Sequence, residues 1–115
     1  MENNSSPENR LAVYGTLAPG QPNHHVVAEI AGHWIEGMVA GRLVEAGWGA
    51  AMGYPGLIIE EPTEIVPVWL LESVHLASHW TRLDQFEGPG YRRTAVSVQT
   101  IQGDLAAFIY VVANS

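Results

Sequence analysis

The chain contains no cysteine and no lysine. Without thiols there is no disulfide, no thiolate nucleophile and no cysteine-ligated metal. Without a side-chain amine there is no Schiff base and no phosphate loop of the lysine-bearing kind. Cationic charge is scarce altogether: the five basic residues are arginines, set against twelve acidic ones for a net charge of −7. A nucleic-acid footprint needs clustered basic side chains, so no nucleic-acid partner is expected. No apolar run has the length of a bilayer span, so no membrane partner is expected either. Met1 to Arg10 is polar and lacks an apolar h-region; residues 1–10 therefore read as a disordered polar leader rather than a signal peptide. The missing cysteines are compatible with a reducing cytoplasm, the expected location. No G-x-S-x-G is present, which removes the nucleophile-elbow serine hydrolases. No H-E-x-x-H is present; His75 and His79 are four apart, with Glu72 before them, but a third ligand is not obvious, so no metal is expected.

What is there suits one folded unit. With 115 residues, 47% of them hydrophobic, the chain can bury a real core, and residues 11–115 read as a single domain. Leu11 to Tyr14 is a short apolar run. Asn23 is placed to cap a brief helix through Ala31. Trp34 to Val44 reads as a long, bent strand whose glycines mark bulges or close backbone approach. Glu45 to Gly56 is a glycine-rich loop, followed by the apolar Leu57-Ile58-Ile59. Ile65 to Leu71 is another strand, which Pro67 marks as bulged or at an edge, since proline cannot donate to a ladder. Ser73 is a plausible cap for a helix running to about Phe86. Tyr91 to Thr100 and Leu105 to Ala113 are the last two strands, joined at Gln102-Gly103-Asp104. Strands outnumber helices and the connections resemble hairpins. The expected fold is α+β: a small mixed, mostly antiparallel β-barrel with a few flanking helices.

Two stretches carry chemistry. The first run stops at Gly15, which leaves the amides of Gly15, Thr16 and Leu17 without ladder partners. Successive N–H groups in such a turn can cradle a carboxylate or a phosphate; a plain strand-to-helix turn has the same residues. The second is the helix before Gly88. Leu76, Trp80 and Leu83 recur at the spacing of one buried face, and the next residue on that stripe is Glu87. Burial without a cation raises a carboxyl's pKa and makes it useful for acid–base work near neutral pH. A frayed end that turns Glu87 to solvent, or a salt bridge to Arg92 or Arg93, would remove that property. Asp84 lies off the stripe, where an aspartate more often braces backbone than reacts.

Val13-Tyr14-Gly15-Thr16-Leu17 resembles the Tyr-Gly-Thr-Leu signature of the gamma-glutamylcyclotransferase-like superfamily. Leu83-Asp84-Gln85-Phe86-Glu87-Gly88, followed by Tyr91 and Arg92, is similar to its second signature. Gly41-Arg42-Leu43 and Tyr54-Pro55-Gly56-Leu57 resemble weaker blocks between them. Gly20-Gln21-Pro22-Asn23-His24 is similar to a loop of the gamma-glutamylamine cyclotransferase branch. The resemblance implies a β-barrel without cofactor and a small-molecule gamma-glutamyl substrate held by Tyr14, Gly15, Thr16 and Leu17, with Tyr91 lining the pocket. It also implies that Glu87 is catalytic, in a reaction that closes 5-oxoproline and releases an amine or amino acid. A non-catalytic receptor for a small gamma-glutamyl or carboxylate ligand is the alternative. Pro67, where the family commonly has glycine, and the neighbouring Trp69 depart from the pattern and bear on the pocket wall; oligomeric state is not readable.

Overall fold

Residues 7–15, 17–21, 23–45, 55–60 and 62–112 are described by a computed structural model. Strand β1 is Arg10–Val13, and the short helix α1 is His25–Ala28. Strands β2 (His33–Glu45), β3 (Pro55–Ile58) and β4 (Glu64–Glu72) follow, then helix α2 (Trp80–Glu87) and the hairpin of β5 (Tyr91–Thr100) and β6 (Gly103–Val112). The sheet order is β3-β2-β4-β1-β6-β5, and an extra pairing of β2 with β5 closes five of the six strands into a barrel, with β3 outside the ring. Every neighbouring pair is antiparallel except β1 with β6. This is the mixed, mostly antiparallel barrel that the strand count and hairpins predict.

Period-two alternation divides the side chains between two cores. Ala12, Val39, Val66, Val68, Leu70, Val98, Ile109 and Val111 fill the barrel. Leu11, Val13, Leu71 and Tyr110 point the other way, against Val27, Leu76, Trp80 and Leu83 of the helical layer. The register of β2 against β4 runs unbroken from His33↔Glu72 to Gly41↔Glu64, and from Arg42 onward β2 pairs with β3 instead. Gly37 lies where β2 meets β5, and a Cβ there would stand 2.6 Å from Val98 Cγ1. The close backbone approach expected of this strand is real, and no bulge interrupts the β4 ladder. Pro67 pairs across to Met38 of β2, while β1 reaches β4 only as far as Val13↔Trp69. Pro67 thus lies in the half of β4 that has lost its second neighbour, an edge where a missing donor costs no ladder bond.

Three boundaries differ from the sequence reading. Residues 7–10, assigned to a disordered leader, are built into the fold: Pro7–Asn9 is a 3-10 turn, and Arg10 opens β1 at 2% exposure. Arg10 Nε donates to Glu72 (3.0 Å) and Nη1 to the Ala106 carbonyl (3.1 Å), tying β1 to β4 and β6. Arg10, the last residue of that polar stretch, belongs instead to an ion pair whose guanidinium is buried. The cap of α1 is His24 rather than Asn23, with helical backbone angles and no side-chain capping bond. The predicted helix from Ser73 is two elements. Ser73 Oγ does accept from His75 N as a cap, but of a 3-10 turn, Val74–Ser78, and α2 begins after His79. Residues 1–6, Thr16, Trp48 and the Tyr54 turn lie outside the described residues. Among the described residues no helix is long and apolar enough to cross a membrane.

Candidate functional site

The end of β1, the end of α2 and the facing ends of β5 and β6 meet at one side of the barrel. Tyr14, the first residue after β1, sends its hydroxyl to the Tyr110 carbonyl of β6 (2.7 Å) and receives the Leu57 amide of β3 (3.1 Å). The side chain thereby spans from β6 to the outlying β3. Burial, together with the charges of Glu87 and Tyr91, pushes its phenol above the ordinary value, so it stays a donor. Beyond it the chain turns at Gly15, where Ala18 N bonds the Gly15 carbonyl at 3.1 Å. Among the described residues no hydrogen bond takes up the Gly15 or Leu17 amide. Thr16, the middle of the expected cradle, lies outside the described residues.

His24 supports this loop, a role the sequence reading did not assign. Its Nδ1 donates to the Leu17 carbonyl at 2.8 Å, and its ring packs at 5.3 Å against Trp34. A histidine ten residues past a strand carries no local signal of such a contact.

Glu87 closes α2 on the stripe predicted for it. Trp80 and Leu83 of the same stripe are buried, and Glu87 is half-buried. Gly88 ends the helix at φ 80°, a left-handed angle that residues with a Cβ avoid, and its amide caps the Asp84 carbonyl at 3.1 Å. The helix therefore stops with Glu87 still held rather than frayed. Desolvation by burial pushes the Glu87 carboxyl from 4.5 up to about 7. Three phenols feel its charge: Tyr14, Tyr91 and Tyr110, all raised, chiefly by their own burial. The two arginines named as partners for Glu87 are engaged with other acids. Arg92 meets Glu60 at 3.1 Å, and Arg93 meets Asp84 at 3.1 Å.

Tyr91 opens β5, half-buried beside this end, and with Asp84, Arg92, Arg93 and Tyr110 lines a cavity of about 330 Å³. Tyr110 was not foreseen. It sits at an outward position in an otherwise apolar strand, and its one signal is a phenol facing the helix layer. Asp84 was expected to brace backbone; it instead holds side chains, accepting from the Tyr110 hydroxyl at 2.6 Å. A larger groove of about 870 Å³ adjoins the Tyr14 loop and has Met38, Pro67 and Trp69 in its wall. The two residues that depart from the family pattern are therefore wall residues. Trp80 belongs to the core, its indole N–H bonded to the Glu8 carbonyl at 3.0 Å. His79 accepts from Arg82 at 2.9 Å, and among the described residues no group of three or more His, Cys, Asp or Glu could hold a metal ion.

Chemically, the arrangement sets a carboxyl pushed up to about 7 by burial near three phenols that stay protonated, close to the turn after β1. That suits proton transfer next to a bound anion.

Comparison with known proteins gives a family and a fold. The profile of a family described as "Gamma-glutamyl cyclotransferase, AIG2-like" matches residues 11–115. A curated relative from Niallia circulans, gamma-L-glutamyl-butirosin B gamma-glutamyl cyclotransferase, is 34% identical over 83 residues, covering 72% of this chain and 50% of that protein. The chain thus spans half the length of that relative. The crystal structure of YkqA from Bacillus subtilis superposes with a TM-score of 0.70 at 30% identity, covering 93% of this chain and 36% of the other. An AIG2-like protein from Mus musculus gives a TM-score of 0.64 at 27% identity, covering 93% of this chain and 78% of the other.

Proposed function

The chain belongs to the gamma-glutamyl cyclotransferase, AIG2-like family, and from that membership we propose that it releases 5-oxoproline from a small gamma-glutamyl amine, amide or peptide. The reaction is intramolecular. The substrate's α-amine attacks its own γ-carbonyl, the new C–N bond closes the five-membered ring, and the original amide C–N bond breaks to free an amine or amino acid.

The observation that carries this reading is Glu87, half-buried at the closed end of α2, with its carboxyl pushed up to about 7 by desolvation. A base near the working pH is efficient in both directions. The α-ammonium loses two protons in becoming the lactam N–H, and the leaving nitrogen gains two in departing as an ammonium; Glu87 relays them one at a time, so no net proton is gained or lost. The amides of Gly15 and Leu17, with Thr16 between them, hold the glutamyl carboxylate, and Tyr14 and Tyr91 wall the pocket. Fixing amine and carbonyl in one orientation is itself worth roughly 7–11 kcal/mol in a well-aligned ring closure. No cofactor enters the scheme, and the site is expected to work in the cytoplasm. The Niallia circulans relative carries the name of a gamma-glutamyl cyclotransferase, which supports this class of reaction.

The test is 5-oxoproline release across gamma-glutamyl dipeptides, the ε-lysine isopeptide, glutathione and gamma-glutamylated amines. Wild type should release it from at least one member, with kcat/KM rising through pH about 7 as Glu87 loses its proton. Glu87→Gln keeps the shape and should lose at least about a hundredfold in kcat, the scale of general acid–base catalysis. Near-normal turnover in that variant overturns the mechanism, and ligand binding without turnover in folded wild type leaves the receptor reading in its place.

A further inference from the structure

Asp84 lies one turn before Glu87 on α2 and is more heavily engaged than a surface aspartate. Its Oδ1 accepts from Arg93 Nε at 3.1 Å and from the Tyr110 hydroxyl at 2.6 Å, and its Oδ2 accepts from Arg93 Nη2 at 3.2 Å. A fork closed on both carboxylate oxygens fixes direction as well as distance. The guanidinium is pinned from its faces too, 4.6 Å from the Trp80 ring and 4.8 Å from the Phe108 ring. Helix α2, strand β5 and strand β6 are thus joined through one charged knot.

That knot stands beside the proposed base. Asp84 and Glu87 are three residues apart on α2, neighbours on its surface, and Tyr110, bonded to Asp84, also feels the charge of Glu87. Two carboxylates lie at this helix end, and Arg93 meets Asp84, the first of them. Beside Glu87 it would hold that carboxyl down by roughly 1–3 units, too acidic to take a proton from an ammonium near neutrality. Beside Asp84 it leaves the chemistry alone. We propose that Asp84 is a positioning residue, which captures Arg93 in a bidentate pair and keeps that cation, and the Tyr110 hydroxyl, directed away from Glu87. The proposal rests on the reading of Glu87 as the base.

Among the described residues, the phenols that feel the charge of Glu87 are Tyr14 from the turn after β1, Tyr91 from β5 and Tyr110 from β6. Asp84 lies on its own helix, Arg93 lies on β5, and Arg92 is paired with Glu60 beyond them. The phenols stay neutral across the range that matters, so the balance between Asp84 and Arg93 decides the local charge. The two partners therefore have opposite effects. Asp84→Asn keeps an acceptor for Tyr110 but releases Arg93, and should move the Glu87 midpoint down by about one pH unit. Arg93→Gln leaves the Asp84 carboxylate uncompensated and should move it up. The double variant should return it to near the wild-type value.

The experiment is a titration of the Glu87 side-chain carboxyl by carbon-13 NMR in the full chain, for wild type and the three variants. The acid limb of kcat/KM is measured in parallel. Shifts of opposite sign that cancel in the double variant are the expected result. Midpoints that stay put, or that move the same way in both single variants, reduce Asp84 to a structural brace and overturn the proposal. If Asp84→Asn fails to fold, Arg93→Gln alone decides, since an unchanged or lowered midpoint overturns the idea. The NMR titration does not depend on turnover. A wild type that releases no 5-oxoproline defeats the proposed function, while the charge arrangement is still tested.

Discussion

A carboxylate on the buried stripe of a helix is costly to ionise, and Glu87 shows the size of that cost. Its folded-state pKa, about 7, lies above the ordinary value of 4.5. A group raised in this way contributes its stabilisation fully below the unfolded value and loses it as pH climbs through the folded value. Between pH about 4.5 and 7 the fold should therefore weaken by up to about 3 kcal/mol through this residue alone. Glu87→Gln removes the titration. The variant is expected to unfold at a higher temperature than wild type at pH 8, with the gap closing towards pH 5, and thermal unfolding at the two pH values checks it. Such a gain in stability with loss of turnover is the usual exchange at a site kept reactive by burial. Tyr14 and Tyr110 add nothing to this pH range, because raised phenols remain protonated throughout it.

At the scale of elements, closure of the barrel hangs on a narrow seam. β2 meets β5 through Gly37↔Thr100 and Met38↔Gln99, and Gly37 allows the approach by having no Cβ to meet Val98 at 2.6 Å. Gly37→Ala forces Val98 or the backbone to shift, with an expected loss of about 1–3 kcal/mol. Urea unfolding of Gly37→Ala beside wild type reads this directly; an unchanged midpoint would mean that the seam gives way at no cost. The seam was partly legible, since a glycine amid β-type residues announces close approach but not the partner. The helix was less legible. Ser73, Leu76 and Trp80 suggest one continuous helix, yet the chain breaks at His79 between a 3-10 turn and α2. Apolar positions three and four apart satisfy both geometries, and packing against β1 and β6 makes the choice.

For the whole molecule, the two cores lie on opposite faces of the same strands. Ala12 faces inward between the outward Leu11 and Val13, and Ile109 faces inward beside the outward Tyr110. Neither core can come apart without disturbing the backbone of the other, so thermal unfolding should be one transition. Coincident melting curves from near- and far-ultraviolet circular dichroism check this, and two separated transitions would show the helical layer to be an independent unit. Arg10 is part of the same coupling, since its ion pair with Glu72 and its bond to Ala106 lock three strands at the far end. Of the two partners the Arg10 guanidinium is the buried one, so replacing Glu72, which leaves that cation unpaired, is the costlier truncation.

The amino-acid sequence by itself determined the strand faces, the loop after β1 and the place of Glu87 on a buried stripe. The faces and the stripe are local periodicities of two and 3.6 residues, and the loop is marked by the glycine that ends the first apolar run. It also determined what chemistry was out of reach, because a chain without lysine or cysteine lacks those groups in any fold. The tertiary structure alone decided which acid each arginine meets, that His24 holds the Leu17 carbonyl, and that Tyr110 stands beside Glu87. It also decided that Arg10 belongs to the core rather than to a leader. These are pairings between residues that only barrel closure brings together. Coulomb and hydrogen-bond energies depend on separation in space, which the order of residues along the chain does not specify.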